Sequence, residues 1–525
     1  MSRRRFLRSS AALLTAASAD WLLGRAATPG ADGATPFDYA RLKGSARALA
    51  TQRYTGPTQR LPAPLAALDW DHWQAIGFRD ERSIWAGAGL RFQVRFAHLG
   101  YQLAKPVRMY EVAGGAAREI RFDPAMFDYS RAGIRGAQLP ADLGFGGLRI
   151  FHHTDWTRDC AVFQGAAYFR AVDGDLQYGM SQRGLAINCG MAEPEEFPDF
   201  VAFYLERPAV DSSRLTVYAL LDSPSVTGAY RFVIDVDDTL VMDVDAALYP
   251  RRPIERLGIA PGTSMFLCGK GDRRVDDDWR SEIHDSEGLE ICTGSGEWMW
   301  RPLVNPRSVR VNSYLDNSPR GFGLMQRERQ FAQYLDDWAF YEKRPCVWVE
   351  PKAPWRKGAV MLVEIPTVDE TQDNVVAFWT PEEKPQPNRE YLYGYRLYWC
   401  RDNPHPPQLA VARATRNGVG GVVGQKRTHF AWRFVVDFEG GELATLGEHV
   451  RVTPVISTSR GRIEVPSARR VVPMGAWWRV IFDLALTDDS TEAVNLRMYL
   501  ALDGQALSET WSYQYSPPPP AQRRT

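Results

Sequence analysis

Apolar residues along this chain alternate with polar ones far more often than they recur at helical spacing. In RFQVRF (91–96), Phe92, Val94 and Phe96 share one face. In VNLRMYL (494–500), Val494, Leu496, Met498 and Leu500 face one way and Asn495, Arg497 and Tyr499 the other. Turn signals separate such runs at short intervals: Asp-Gly at 173–174 and 503–504, Gly-Gly at 114–115 and 440–441, and Asn-Pro at 305–306. Helical spacing is confined to short stretches near 38–50 (DYARLKGSARALA) and 64–75. The pattern predicts an all-β protein.

The length, 525 residues, calls for more than one domain. The clearest break is TPEEKPQPNRE (380–390), rich in proline, which cannot donate to a sheet ladder. Strand patterns then follow at 391–399, 407–415, 429–438, 450–456, 476–486, 494–502 and 507–515, a spacing that predicts an immunoglobulin-like β-sandwich over 391–515. The preceding 36–379 is too long for one small sandwich and predicts a large sheet-on-sheet domain of antiparallel strands. The tail 516–525 (SPPPPAQRRT) is expected to be disordered.

The first residues, MSRRRFLRSSAALLTAASADWLLGRAA, join paired arginines to a short apolar stretch that is too brief for a membrane span and is broken by Asp20. This predicts a twin-arginine export signal over 1–26, cleaved after Ala19 or Ala26, and hence a periplasmic protein exported folded. Its removal leaves 58 basic and 62 acidic residues, a net charge of −4 that argues against nucleic acid as a partner. Six widely spaced cysteines form no CxxC, and eight histidines form no HExxH. No metal or other cofactor is expected, and one or two disulfides would be compatible with the compartment.

The chain carries 17 Trp, 21 Tyr and 24 Phe. Several stand beside charged residues, in GEWMWRP (296–302), YLDNSPRGFG (314–323), YEKRPCVWVEP (341–351) and APWRKG (353–358). Sugar rings stack on indole and phenol faces while carboxylates and arginines bond their hydroxyls. Trp298, Trp300, Arg301, Tyr314, Asp316, Arg344, Trp348, Glu350 and Trp355 are therefore candidate carbohydrate-binding residues. The alternative is a large aromatic core with solvated edges.

No GxSxG elbow, phosphate loop or dinucleotide fingerprint is present. Glycoside cleavage needs only two carboxyl groups, one protonating the leaving oxygen and one activating water or attacking directly. Two acidic clusters are candidates: EIHDSEGLE (282–290), with Asp285, and EIPTVDETQDNVVAFW (364–379), with Glu364, Asp369, Glu370 and Asp373. Asp285 could instead be an Asx-turn residue, and Glu370 and Asp373 could simply solvate a hairpin turn.

The stretches YFRAVDGDLQYGMSQRGLAI (168–187), EEFPDF (195–200), YALLDSPSVTGAYRF (218–232), LGIAPGTSMF (257–266), IHDSEGL (283–289), DNSPRGFGLMQRERQF (316–331) and IPTVDETQDNVVAFW (365–379), with GEWMWRPL and RPCVWVEP, carry a resemblance over nearly the whole chain to the periplasmic glucan biosynthesis (OpgG/OpgD) family. The paired arginines of the leader favour its D branch. The resemblance implies a galactose-mutarotase-like large sandwich joined to an immunoglobulin-like one, and an inverting endo-β-1,2-glucanase acting on osmoregulated periplasmic glucans. It also implies that Asp373 is the general acid, that Asp285 is the general base working through a relay, and that Glu370 supports them.

An acid in that role has to hold a proton that a free aspartate, of pKa about 3.9, has lost; burial under sugar and like charge from Glu370 or Asp369 would supply the shift. Asp369 stands where a small residue is expected in relatives. Asp285 has to stay ionised, for which Arg301 and Arg344 are the candidate cations, and Arg327 and Arg329 are candidates for the opposite side of the cleft. A glucan-binding scaffold that works with an inner-membrane glucan synthase and protein G is the alternative to an enzyme; an epimerase or lyase is a more distant one. Edges that must be covered suggest a homodimer.

Overall fold

The computed structural model of the protein describes residues 33–523 apart from 57–60, 173, 175–176, 238, 274–277 and 423. The export signal expected over 1–26 and Asp173 of one expected turn lie outside the described residues.

Period-two runs become strands wherever one face finds a second sheet to bury against. A 16-stranded sheet and a 10-stranded sheet dominate. The first includes Asp199–Glu206, Arg214–Asp222, Val226–Val236 and Leu240–Pro250, the second Phe92–Ala97, Asp155–Gln164, Tyr168–Ala171 and Leu257–Ser264. Their inner faces meet in one core, where Phe163 packs on Phe203 and Phe232 with ring centroids 5.8 and 5.1 Å apart. Phe92, Val94 and Phe96 point into that core as their alternation predicts. Gly114 and Gly115, both at positive φ, make the tight turn between Arg108–Ala113 and Ala116–Ile120. The helix Tyr39–Ala50, capped by the Asp38 carboxylate, packs Leu42 and Ala46 beside Ala229 and Ala247. The helix expected over 64–75 is two short pieces, Ala63–Ala66 and Trp70–Gln74.

The domain boundary differs from the one expected. Tyr391–Cys400 does not open the second sandwich; it pairs along its length with Leu240–Pro250 on one side and Cys346–Pro351 on the other. The prolines of 380–390 sit in the connection that carries the chain from Val375–Pro381 in the smaller sheet to this strand in the larger. The second sandwich begins at Val411–Val419. One of its sheets is Val411–Val419, Ala431–Glu439, Trp478–Ala485 and Arg462–Arg470. The other, Thr453–Thr458, Val494–Leu502 and Thr510–Tyr515, continues the large sheet, because Thr510 and Trp511 pair in parallel with Met299 and Trp300. Arg462–Arg470 was not expected as a strand: Pro466 interrupts its pattern, and the register shifts there between Glu464 and Ser467, with Val465 at φ 44°. In the tail, Arg523 donates to the carbonyls of Asp488 and Ser490 at 2.6 and 2.7 Å.

Buried charge holds the two sandwiches together. Arg327 donates to both carboxylate oxygens of Glu509 at 2.6 and 3.0 Å and to the Ala412 carbonyl at 2.8 Å, while its guanidinium lies 3.6 Å from the Trp300 ring centroid. Glu290 is 3.2 Å away on the first-domain side. Arg327 and Arg329, expected across a cleft, are thus structural; Arg329 donates to the carbonyls of Glu342, Arg344 and Arg401. Replacing Arg327 by Met strands Glu509 and Glu290 without their cation. The expected loss is about 3–5 kcal/mol of unfolding free energy, read by urea denaturation.

Candidate active site

The two acidic clusters meet where the chain crosses between the sheets of the large sandwich. After Leu257–Ser264 in the smaller sheet, the short strand Phe266–Cys268 turns away and pairs with Ile283–His284, with Phe266 opposite His284. The chain then enters the larger sheet at Gly288–Cys292. Asp285 lies on this crossing, its N–H donating to the Met265 carbonyl at 2.8 Å. The second cluster is the loop between Lys357–Glu364 and Val375–Pro381. Asn374 closes the base of that loop. Its buried side chain accepts from the Phe266 N–H at 2.8 Å and donates to the carbonyls of Phe266 and Ile365 at 3.0 and 2.9 Å. Asp373, next to Asn374, is thereby tethered to the strand paired with the residue before Asp285.

Each carboxylate of 364–373 has a separate task. Glu364 is buried, paired with Arg301 at 3.0 Å and capping the Val304 N–H at 2.8 Å. Asp369 accepts from the Thr371 N–H and hydroxyl, which hold its carboxyl below the usual range; the extra charge is occupied within its own turn. Glu370 accepts from Arg280 at 2.9 and 3.2 Å and from the Tyr341 hydroxyl. The like charge expected from Asp369 and Glu370 is therefore met locally by Thr371, Arg280 and Tyr341. Asp373 is exposed.

Asp285 is 3% exposed, and Arg344 donates to its Oδ1 at 2.5 Å. Burial raises its carboxyl above the ordinary aspartate value; the Arg344 charge opposes this, the Asp373 charge adds to it, and Arg170 opposes it again. The Asp373 charge likewise acts on the half-buried Tyr168, whose hydroxyl burial pushes up. The Asp373 charge thus reaches both Asp285 and Tyr168, and the Arg344 and Arg170 charges reach Asp285. Of the two cations weighed for Asp285, Arg344 serves it and Arg301 serves Glu364. Gly179 gives Arg344 its room: a Cβ there would stand 2.9 Å from the Arg344 Cβ.

The aromatic candidates fall elsewhere. Trp300 and Trp348 are 2% and 1% exposed and belong to the core under the domain junction, where Trp298 stacks on Trp348 at 5.7 Å. Trp355 and Tyr314 belong to the main core or pack against it. Asp316 caps the Gly294 N–H at 2.9 Å, and Glu350 holds the Tyr398 hydroxyl at 2.7 Å. Trp300, Trp348, Trp355 and Arg301 offer almost no surface to a sugar; the sequence shows an aromatic beside a charge but not which face of the sheet it occupies. Of these candidates, Arg344 is the one that bonds Asp285.

Several residues of the site carried no sequence signal. Arg280 also pairs with Asp278 and Asp336 at 2.9 and 2.7 Å, joining three acidic segments. Arg170 and Tyr168 lie on the strand Tyr168–Ala171. Trp279 and Trp338, 68% and 90% exposed, flank the Arg280 cluster. Their exposure beside charge would have marked them, had burial been readable. All six cysteines are unbonded. Among the described residues no three His, Cys, Asp or Glu side chains gather as a metal would require, and no helix is long and apolar enough to cross a membrane.

Residues 37–515 match the family model described as "Periplasmic glucan biosynthesis protein, MdoG". The chain is 56% identical over 484 residues to Glucans biosynthesis protein D of Stenotrophomonas maltophilia, covering 92% of this chain and 90% of that relative. It is 53% identical over 532 residues to the protein of the same name from Xanthomonas axonopodis pv. citri, with all of both chains covered. A third such protein, from Xanthomonas oryzae pv. oryzae, is 52% identical over 537 residues, covering 100% of this chain and 99% of the relative. The chain belongs to the periplasmic glucan biosynthesis protein family.

Asn374→Ala removes the tether between the two clusters and leaves the Phe266 N–H and carbonyl without their partner. The expected result is a stability loss of roughly 1–3 kcal/mol by thermal unfolding, with faster amide exchange at 365–374 than in strands remote from the site.

Proposed function

We propose that the protein is a periplasmic, inverting endo-β-1,2-glucanase that acts on the glucose backbone in osmoregulated periplasmic glucan biosynthesis. What supports this reading is that Asp373, from a segment far away in sequence, is tethered through Asn374 to the strand paired with His284, and that its charge acts on the buried Asp285. Membership of a family named for glucan biosynthesis supports the substrate class.

The two carboxyl groups sit in different environments, one exposed and one buried, and inverting chemistry asks for one acid and one base. Asp373 is exposed on a tethered loop, so it can meet a glycosidic oxygen directly and give it a proton as the C–O bond breaks. Asp285 is buried behind Arg344, so it works as the base through a relay: a water attacks C1 from the opposite face and its proton passes to Asp285. Arg344 favours the ionised form that a base requires, while burial makes that form a stronger proton acceptor than a free aspartate. Glu370, fixed by Arg280 and Tyr341, holds the loop in position.

Incubation with linear β-1,2-glucan should release new reducing ends, and Asp373→Asn and Asp285→Asn should each slow this by about 10²–10⁴-fold. An aryl β-glucoside oligomer, whose leaving group needs no proton, should recover most of the Asp373→Asn rate but not the Asp285→Asn rate. Glucan that stabilises the protein without being cut would instead indicate the scaffold.

The acidic limb of kcat/KM reports the ionisation of the base. Because burial raises Asp285, activity should be lost as pH falls through a value above that of an ordinary aspartate. Arg344→Met removes the largest opposing charge, so the limb should move to higher pH. An unmoved limb would assign it to another group.

A further inference from the structure

A cavity of about 490 Å³ is lined on one side by Tyr168, on which the Asp373 charge acts, and by Arg170, whose charge acts on Asp285. Its far wall is an aromatic cluster built from two separate elements. The helical turn Trp70–Gln74, capped by Asp69 on the His72 N–H at 2.9 Å, supplies Trp70 and Trp73. A tight turn in which Gly100 and Leu103 exchange backbone hydrogen bonds at 3.0 and 2.9 Å presents Tyr101 and Gln102 at its tip. Trp70 lies 5.6 Å from Trp73 and 5.5 Å from Tyr101, centroid to centroid.

This cluster is held open rather than buried. Trp73 is fixed from beneath by its Nε1–H donating to the His98 carbonyl at 3.1 Å. Gly100 makes room for it, since a Cβ there would come within 2.7 Å of the Trp73 ring. Tyr101 adopts φ 49°, a conformation costly for a bulky residue. Yet Trp70 and Tyr101 remain 47% and 41% exposed. Folding alone gains little from straining a tyrosine in order to leave it in solvent. The amide side chains of Gln102 and Gln164 line the same space. Apolar ring faces edged by amides and a guanidinium match a pyranose, which has a C–H face and a rim of hydroxyls.

We propose that Trp70, Trp73 and Tyr101 form a distal glucosyl subsite that binds the β-1,2-glucan away from the bond being cleaved and makes the protein favour long chains. The inference rests on the glucanase reading and extends it. A glucan passing Asp373 and Asp285 continues over Tyr168 and Arg170 and stacks a glucose unit on the Trp70 and Tyr101 rings.

The test compares kcat/KM on linear β-1,2-glucan with that on the shortest β-1,2-gluco-oligosaccharide cleaved, for the wild type, Trp70→Ala, Tyr101→Ala and the ring-preserving Tyr101→Phe. The expected result is a fall of roughly tenfold in the long-to-short ratio for each Ala variant, the loss usual when an anchoring aromatic is truncated, with Tyr101→Phe close to wild type. Isothermal titration of the same glucans into proteins that also carry Asp285→Asn should show the same length-selective loss of affinity. A ratio unchanged in Trp70→Ala and Tyr101→Ala, while the wild type cleaves glucan, overturns the subsite and leaves the glucanase standing. A proportional loss on all lengths overturns it too, because it reports damage to the fold. A wild type that neither cleaves nor binds β-1,2-glucan removes both.

Discussion

The side-chain amide of Asn374 is the contact on which the site depends. It satisfies both backbone groups of Phe266, and Phe266 pairs with His284, the neighbour of Asp285. Asp373 is the residue before Asn374, so one buried amide ties together two carboxylates that the sequence keeps far apart. A surface loop would otherwise wander by ångströms, and the proton transfer proposed for Asp373 tolerates little of that. Asn305 adds a second tie: its side chain bonds the Leu267 carbonyl on one side and both backbone groups of Thr367 on the other.

With position fixed, environment differentiates the two acids. One carboxylate is enclosed and faces a guanidinium; the other stands in solvent on its tethered turn. Two further carboxylates in the neighbourhood are already matched, Glu370 by Arg280 and Glu364 by Arg301, so their charges set geometry. This division is economical, because the arginines that hold the loop also keep stray negative charge away from the pair.

Much of the architecture was legible from period-two alternation, since a strand with one buried face has to write it into the sequence; 91–96 and 494–500 are examples. The boundary was misread because proline marks any connection that leaves a sheet, including the one between Pro381 and Tyr391 inside a domain. Arg462–Arg470 escaped because an edge strand with a bulge can carry Pro466. Asp285 and Asp373 stand out in the sequence as members of acidic clusters, their separate roles follow only from the resemblance, and Arg344 is one of two candidate cations for the base. Arg280, Asn374 and the Trp70–Tyr101 cluster did not come to notice, because their importance lies in partners tens or hundreds of positions away. The Trp-rich motif at 296–302 looked like a sugar platform and proved to be the junction core, for burial is not a property of composition.

The strand that joins the two sandwiches, Thr510–Tyr515, lies in the interior of the large sheet between Trp298–Pro302, far earlier in the sequence, and Val494–Leu502. Until those residues have left the ribosome, the edge at Trp298–Pro302 stands open and Arg327 waits for Glu509. The seam therefore closes through a pairing between segments distant in sequence, which is slow to find and comes only after everything between them has been made.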